Sequence, residues 1–173
     1  MSAAAGRSKG RGRARIDFIP GVPDLSEVTP DNIREFGEGT FPADIGIEPL
    51  EIEDEVARGR IHVERRHLHP GGFVHGGVWT ALGDTVAAWA TFRNIPPGSD
   101  FTTIELKLNV FGAGLHGDEI VAEARPLHAG RSTVVIEVRI ERIREGDRKL
   151  AASLIVTQFV LPPDDPALRA SLA

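Results

Sequence analysis
Apolar and polar residues alternate along this chain in rhythms that change from one stretch to the next. Between Ala43 and Arg66 the sequence ADIGIEPLEIEDEVARGRIHVERR keeps a period of two, broken from Glu53 to Gly59, which predicts two short strands arranged as a hairpin. From Val78 the period becomes helical. Val78, Ala81, Leu82, Thr85, Trp89 and Phe92 share one face, and since the opposite side is also largely Ala, Val and Trp, the helix is expected to be buried almost all round. The prolines of NIPPGSD end it. Alternation then resumes: FTTIELKLNVF places Ile104, Leu106, Leu108 and Val110 against Thr103, Glu105, Lys107 and Asn109. Three further strand patterns follow, DEIVAEARPLH, RSTVVIEVRIERI and KLAASLIVTQFVL, separated by FGAGLHGD, AG and REGDR. One buried helix followed by long antiparallel strands predicts an α+β domain in which a curved sheet wraps the helix.

Upstream, DFIPGVPDLSEVTP reads as an extended linker, and TPDNIREFGEG then offers Thr29 as N-cap, Pro30 at the first helical position and glycine at the end. A short helix over Pro30–Phe36 is expected. The division that results is 1–40 for a basic arm and Pro-rich linker, 41–161 for the compact domain and 162–173 for a polar tail. A length of 173 residues with 41% hydrophobic content suits one well-buried domain. The chain has no cysteine, which removes disulfides, thiolate zinc sites and cysteine nucleophiles together. No run approaches the roughly 18 apolar residues of a membrane span, and the first residues lack an apolar signal core, so a cytoplasmic protein without membrane contact is expected. The net charge of -5 conceals an asymmetry: Arg7, Lys9, Arg11, Arg13 and Arg15 make the arm basic and the remainder correspondingly more acidic. No aromatic residues interleave with those charges, so the arm reads as a solubilising segment and not as a nucleic-acid contact.

The chemistry concentrates in HLHPGGFVHGGVWTALGDTVAAWATF, from His67 to Phe92. Asp84 is the one charged residue between Val78 and Phe92. A carboxylate on such an apolar helix is costly unless it is paired or hydrogen-bonded, which suits either a structural role at a subunit edge or a catalytic base or nucleophile. Gly76 and Gly77 sit where the helix begins, and there the first N–H groups lack intrahelical acceptors and the helix dipole favours developing negative charge. An oxyanion hole could form at that point. His62, His67, His69 and His75 raise a metal site as a rival, yet no Glu follows HLH at a useful spacing and no HExxH motif exists, so neither metal nor cofactor is expected. The plainer expectation puts His62 and His67 on a strand surface and makes His75 a cap of the turn. Trp79, Trp89, Phe73 and Phe111 suit either an acyl pocket or the core.

HPGGFVHGGVWTALGDTVAAWA resembles the signature of hotdog-fold acyl-CoA thioesterases of the phenylacetate-pathway and 4-hydroxybenzoyl-CoA types: a polar residue, HGG six positions on, and an acid nine positions after that His. Here these are His69, His75 to Gly77, and Asp84. The resemblance spans roughly Ala43 to Leu161. It implies that Asp84 attacks the thioester or activates a water, that Gly76 donates its N–H to the thioester oxygen, and that His69 stands where these enzymes usually carry Asn or Gln. It also implies that His75 and Gly77 lie at the substrate, and that HAGRST, with Gly130, Arg131, Ser132 and Thr133, contacts CoA. Finally, it implies a homodimer or homotetramer whose sites combine His69 and Gly76 of one subunit with Asp84 of another. A hotdog module that binds acyl-CoA without hydrolysing it is the alternative.

Overall fold
The computed structural model describes residues 28–161; the basic arm, the linker up to residue 27 and the tail from 162 lie outside the described residues. Helix α1 spans Pro30–Phe36. Its start is fixed by a reciprocal capping box, the Asn32 N–H donating to the Thr29 hydroxyl and the Thr29 N–H to the Asn32 side chain, with Pro30 in the first turn and Gly37 at the C-cap. Arg34 donates to the Pro49 carbonyl at 3.0 Å and Val28 is buried in the core, so packed structure begins upstream of Phe41. A one-turn helix α2 (Phe41–Asp44) leads into β1 (Glu48–Ile52) and β2 (Ala57–His62). The expected break ran to Gly59, yet Gly59 lies inside β2. A Cβ there would come within 2.6 Å of the Trp89 ring, so the glycine marks a close approach of the long helix and not a turn.

Helix α3 (Gly76–Phe92) is followed by β3 (Asp100–Val110), β4 (Glu119–Ala129), β5 (Thr133–Arg144) and β6 (Asp147–Leu161). The sheet is antiparallel throughout, in the order β1-β2-β4-β5-β6-β3, and α3 packs against all six strands. This is the α+β layout that the pattern predicts. Leu82, Val86, Ala87 and Ala90 share one buried core with Ile120, Ile136, Val138 and Leu154, and each Leu, Ile or Val side chain among them contributes about 1.5–3 kcal/mol on burial. Gly83 marks where the helix lies close to the sheet: a Cβ at that position would come within 2.5 Å of the Leu154 side chain, which would have to shift to admit it. Asp84, one residue and about 100° on, is turned away from Leu154 toward the edge strand β3. The helix is consequently not buried all round. Gly76 and Gly77 are exposed, and Ala81, Asp84, Thr85 and Ala88 are half-buried.

Strand β3 departs from simple alternation too. Its register against β6 shifts between Thr103 and Glu105, a β-bulge that throws Ile104 outward, 57% exposed, while Leu106 and Leu108 pack on the core.

The loop between β3 and β4 holds the start of α3 in place. Asp118, 2% exposed, accepts from Arg144 through both oxygens, at 2.6 and 2.7 Å, and from the Leu115 N–H at 2.8 Å. Next to it, Gly114 accepts from the Val74 N–H, and Val74 and Trp79 pack against that glycine. Burial by itself would raise the Asp118 carboxyl, but the bonds from Arg144 and Leu115 and the charge of Arg144 and Arg142 outweigh it and hold it below its usual range. A carboxylate so depressed adds stability that is complete above the unfolded value near 3.9 and is lost as pH falls through the lower folded value. Asp118→Asn is therefore expected to lower the Tm by roughly 5–10 °C at pH 7 and by less at pH 3. Melting curves at the two pH values check this, and an equal loss at both would exclude the pair as the source.

Candidate active site
The turn from His69 to Phe73 is closed by three hydrogen bonds: His69 N–H to the Phe73 carbonyl, Gly72 N–H to the His69 carbonyl, and Gly71 N–H to His69 Nδ1, all 2.9 Å. Gly72, at φ 86°, makes the reversal possible. Because Nδ1 accepts, the neutral ring carries its proton on Nε2, which is left as a donor. His69 is half-buried and borders an open cleft of about 540 Å³ with Arg65, Leu68, Pro70, Gly72 and His116.

At the start of α3, His75 is the N-cap, with extended backbone at φ -66° and ψ 142°, and its Nδ1 accepts from the Gly77 N–H at 2.9 Å. The Val78 N–H donates to the His75 carbonyl. These bonds satisfy two of the amides that a helix start leaves open. The Gly76 N–H has no acceptor among the described residues and lies on an exposed residue. The structure thus separates the two glycines: Gly77 is occupied by the cap, and Gly76 offers the free donor at the positive end of a 17-residue helix.

Asp84 accepts at Oδ1 from the Thr103 hydroxyl, 3.0 Å away on β3. Thr103 is a site neighbour that the sequence does not announce, because it takes its place through the β3–β6 register and the seat of α3, both set at long range. Gly76 and Asp84 are eight residues apart on one helix, a separation of roughly 12 Å. A reacting carbonyl must lie about 3 Å from both its oxyanion donor and its nucleophile. That separation is too long for one chain's own Asp84 to attack directly a carbonyl held on its own Gly76 N–H.

The segment Gly130 to Thr133 forms the β4–β5 hairpin tip, closed by Gly130 N–H to the Thr133 carbonyl at 2.9 Å, and its Ser132 carbonyl accepts from the Val160 N–H at 3.0 Å. Arg131 and Ser132 are exposed. Thr133 pairs with Phe159, and Phe159 with Thr102, so the tip lies at the same end of the sheet as Thr103, two strand spacings or roughly 10 Å across.

The histidines do not converge. His62 is exposed near Glu119, in keeping with a surface role. His67 departs from that expectation: it is 2% exposed, with Nδ1 accepting from the Glu64 N–H and Nε2 bonded to the Ile45 carbonyl, both at 2.9 Å. Both ring nitrogens are thus committed to tying the segment before the His69 turn to the end of α2. Among the described residues no three His, Asp or Glu side chains are grouped as ligands for one ion. Trp79 and Trp89 are core residues, whereas Phe73 and Phe111 are exposed.

Comparison with known proteins agrees with this architecture. A model of the thioesterase superfamily matches residues 71–149. A 1,4-dihydroxy-2-naphthoyl-CoA hydrolase of Listeria monocytogenes is 30% identical over 96 residues, covering 56% of this chain and 77% of that one. Among solved structures, a Haemophilus influenzae thioesterase aligns with a TM-score of 0.71 at 23% identity, over 80% of this chain and 94% of that one. A Streptococcus mutans protein solved with bound acetyl CoA aligns with a TM-score of 0.61 at 23% identity, over 69% of this chain and 92% of that one.

Proposed function
Because this chain belongs to the thioesterase superfamily, whose members share the hotdog fold, we propose that it hydrolyses an acyl- or aryl-CoA thioester to the free acid and CoA. The observation that carries the reading is the unoccupied Gly76 N–H at the start of α3, on the same rigid element as the carboxylate of Asp84. In this reading the thioester oxygen lies on the Gly76 N–H, where the helix dipole and the His69 Nε2–H support the charge that develops on it. Asp84 of the partner subunit then attacks the carbonyl carbon, giving an Asp84–acyl anhydride that a water afterwards hydrolyses to the free acid and the carboxylate, or it takes a proton from a water that attacks the carbon itself; on either route the C–S bond breaks and the sulfur leaves as CoA thiolate, which is protonated. The roughly 12 Å between Gly76 and Asp84 within one chain supports this sharing of sites in a dimer or tetramer.

His69 differs from the Asn or Gln that the resemblance leads one to expect, but its Nε2–H supplies the same kind of donor. His75, by capping Gly77, acts on substrate through the shape of the helix start. In this reading Arg131, exposed at the hairpin tip with Gly130, Ser132 and Thr133, meets the phosphates and pantetheine of CoA, a guanidinium being suited to bidentate contact with phosphate. Two relatives support a CoA ester: the Listeria protein is named a CoA-ester hydrolase, and the Streptococcus structure holds acetyl CoA.

Thiol release from a panel of aromatic and aliphatic acyl-CoAs tests the proposal. Turnover by the wild type establishes the activity and ranks the acyl groups. Binding of acyl-CoA with no thiol release by any ester would instead favour a binding module on the same fold.

A further inference from the structure
Gln158 stands where an apolar residue is expected. On β6 the residues turned toward the core are Ala152, Leu154, Val156, Gln158 and Val160, in strict alternation, and all are buried. Gln158 is 0% exposed, and neither its side-chain oxygen nor its nitrogen has a hydrogen-bond partner among the described residues. A primary amide left unsatisfied in such a place is costly, and each one in a folded protein calls for an explanation. Its position suggests one. Gln158 is in register with Thr103, the residue whose hydroxyl donates to Asp84. Side chains opposite each other on one face of an antiparallel pair lie about 5 Å apart. The orphaned amide is therefore the next polar group inward from the Asp84–Thr103 bond. The bulge between Thr103 and Glu105 interrupts the β3–β6 ladder beside this pair, on an edge strand where Thr103 itself is exposed.

We propose that Gln158 is a specificity-determining residue, whose amide hydrogen-bonds a neutral hydroxyl on the acyl group of the substrate. The inference rests on the thioester-hydrolase reading and names the class of acyl group that the site takes. A hydroxyl both donates and accepts, so it satisfies the side-chain oxygen and nitrogen together. An unsubstituted alkyl or aryl group satisfies neither, and an ionised carboxylate satisfies only the nitrogen while bringing a charge into the core. A site that keeps an amide for a hydroxyl discriminates against the analogue that lacks it, since the amide then stays unpaired in the complex.

The test compares matched CoA esters that differ by one hydroxyl, a benzoyl with a hydroxybenzoyl and a straight-chain acyl with its hydroxyacyl counterpart, in the wild type and in Gln158→Met. The wild type is expected to favour a hydroxylated ester of at least one pair by 10-fold or more in kcat/KM, a preference that shrinks to about 2-fold or less in Gln158→Met. No such preference in the wild type, or one that the variant keeps, overturns the proposal. If no ester is hydrolysed, it is the activity reading that fails; the same pairs are then compared by calorimetric affinity, judged by the same criterion. The ligand-free variant gives a second reading. Removing an unpaired buried amide raises the Tm, so a fall of several degrees in Gln158→Met would mean that the amide has a partner within the protein and would overturn the inference.

Discussion

Asp84→Asn is expected to reduce thioester hydrolysis by about 10³-fold, within the 10²–10⁴ range typical of a lost general base, while the folded structure persists. The change is small in shape. The Asn side chain keeps an oxygen to accept from the Thr103 hydroxyl, so the contact that holds residue 84 toward β3 survives. What disappears is the negative charge and the ability to bond to carbon or accept a proton. The loss therefore belongs in kcat, with KM changing little, and the Tm should stay within a few degrees of wild type. Asp84→Ala should lose as much turnover, and the Thr103 contact with it. Thiol-release kinetics beside a thermal melt checks both variants. If either purified protein kept more than a tenth of wild-type kcat, Asp84 would have no place in the chemistry.

Much of the fold can be read from the order of periods: helical from Val78, then alternating to the end, which is a helix with a sheet to wrap it. The short helix at Pro30–Phe36 is equally legible, because its N-cap and first-turn proline are local features. The places where the pattern misleads share one cause. Gly59 looks like a break but lies within a strand because Trp89, thirty residues on, needs the space. Ile104 belongs by alternation with Leu106 and Leu108, yet the bulge turns it outward, and such a bulge is set by pairing with β6, more than fifty residues away. His67 resembles a strand-surface histidine, yet both its ring nitrogens are bonded to backbone groups, one of them at Ile45.

The same division holds at the candidate site. Asp84 and the glycines stand out in the sequence because their chemistry conflicts with an apolar helix. Thr103 does not stand out, since a threonine on the polar face of a strand is ordinary until α3 is seated over it. Gln158 could have been noticed: it is the one polar residue in the buried phase of LIVTQFV, and the signal was simply that its neighbours two residues either side are Val156 and Val160. Which glycine N–H remains free is beyond sequence reading, because it depends on the direction in which the His75 ring turns to cap Gly77.

That free amide permits an unusually clean substitution. Gly76 occupies the first helical position, where proline is favoured because its missing N–H would have no intrahelical acceptor and its fixed φ suits the helix. The residue before a proline must be extended, and His75 already is, at φ -66° and ψ 142°. A Cβ on residue 76 meets no heavy atom within 4 Å. Gly76→Pro is thus expected to fold with unchanged or slightly raised Tm while losing about 10²–10³-fold in kcat, the usual cost of one oxyanion-hole donor. Gly76→Ala keeps the N–H and adds only the methyl, so a much smaller loss there would assign the effect to the missing donor. If Gly76→Pro turned over as well as Gly76→Ala, the oxyanion would have to be held elsewhere. The variant also tests how the site is shared. Mixed by refolding with Asp84→Asn, it forms heterodimers in which one site combines an intact Gly76 with an intact Asp84 from the other chain, and activity should return to about a quarter of wild type. Two inactive proteins that stayed inactive when mixed, despite proven exchange of subunits, would place both groups in one chain's site, against the roughly 12 Å that the helix puts between them.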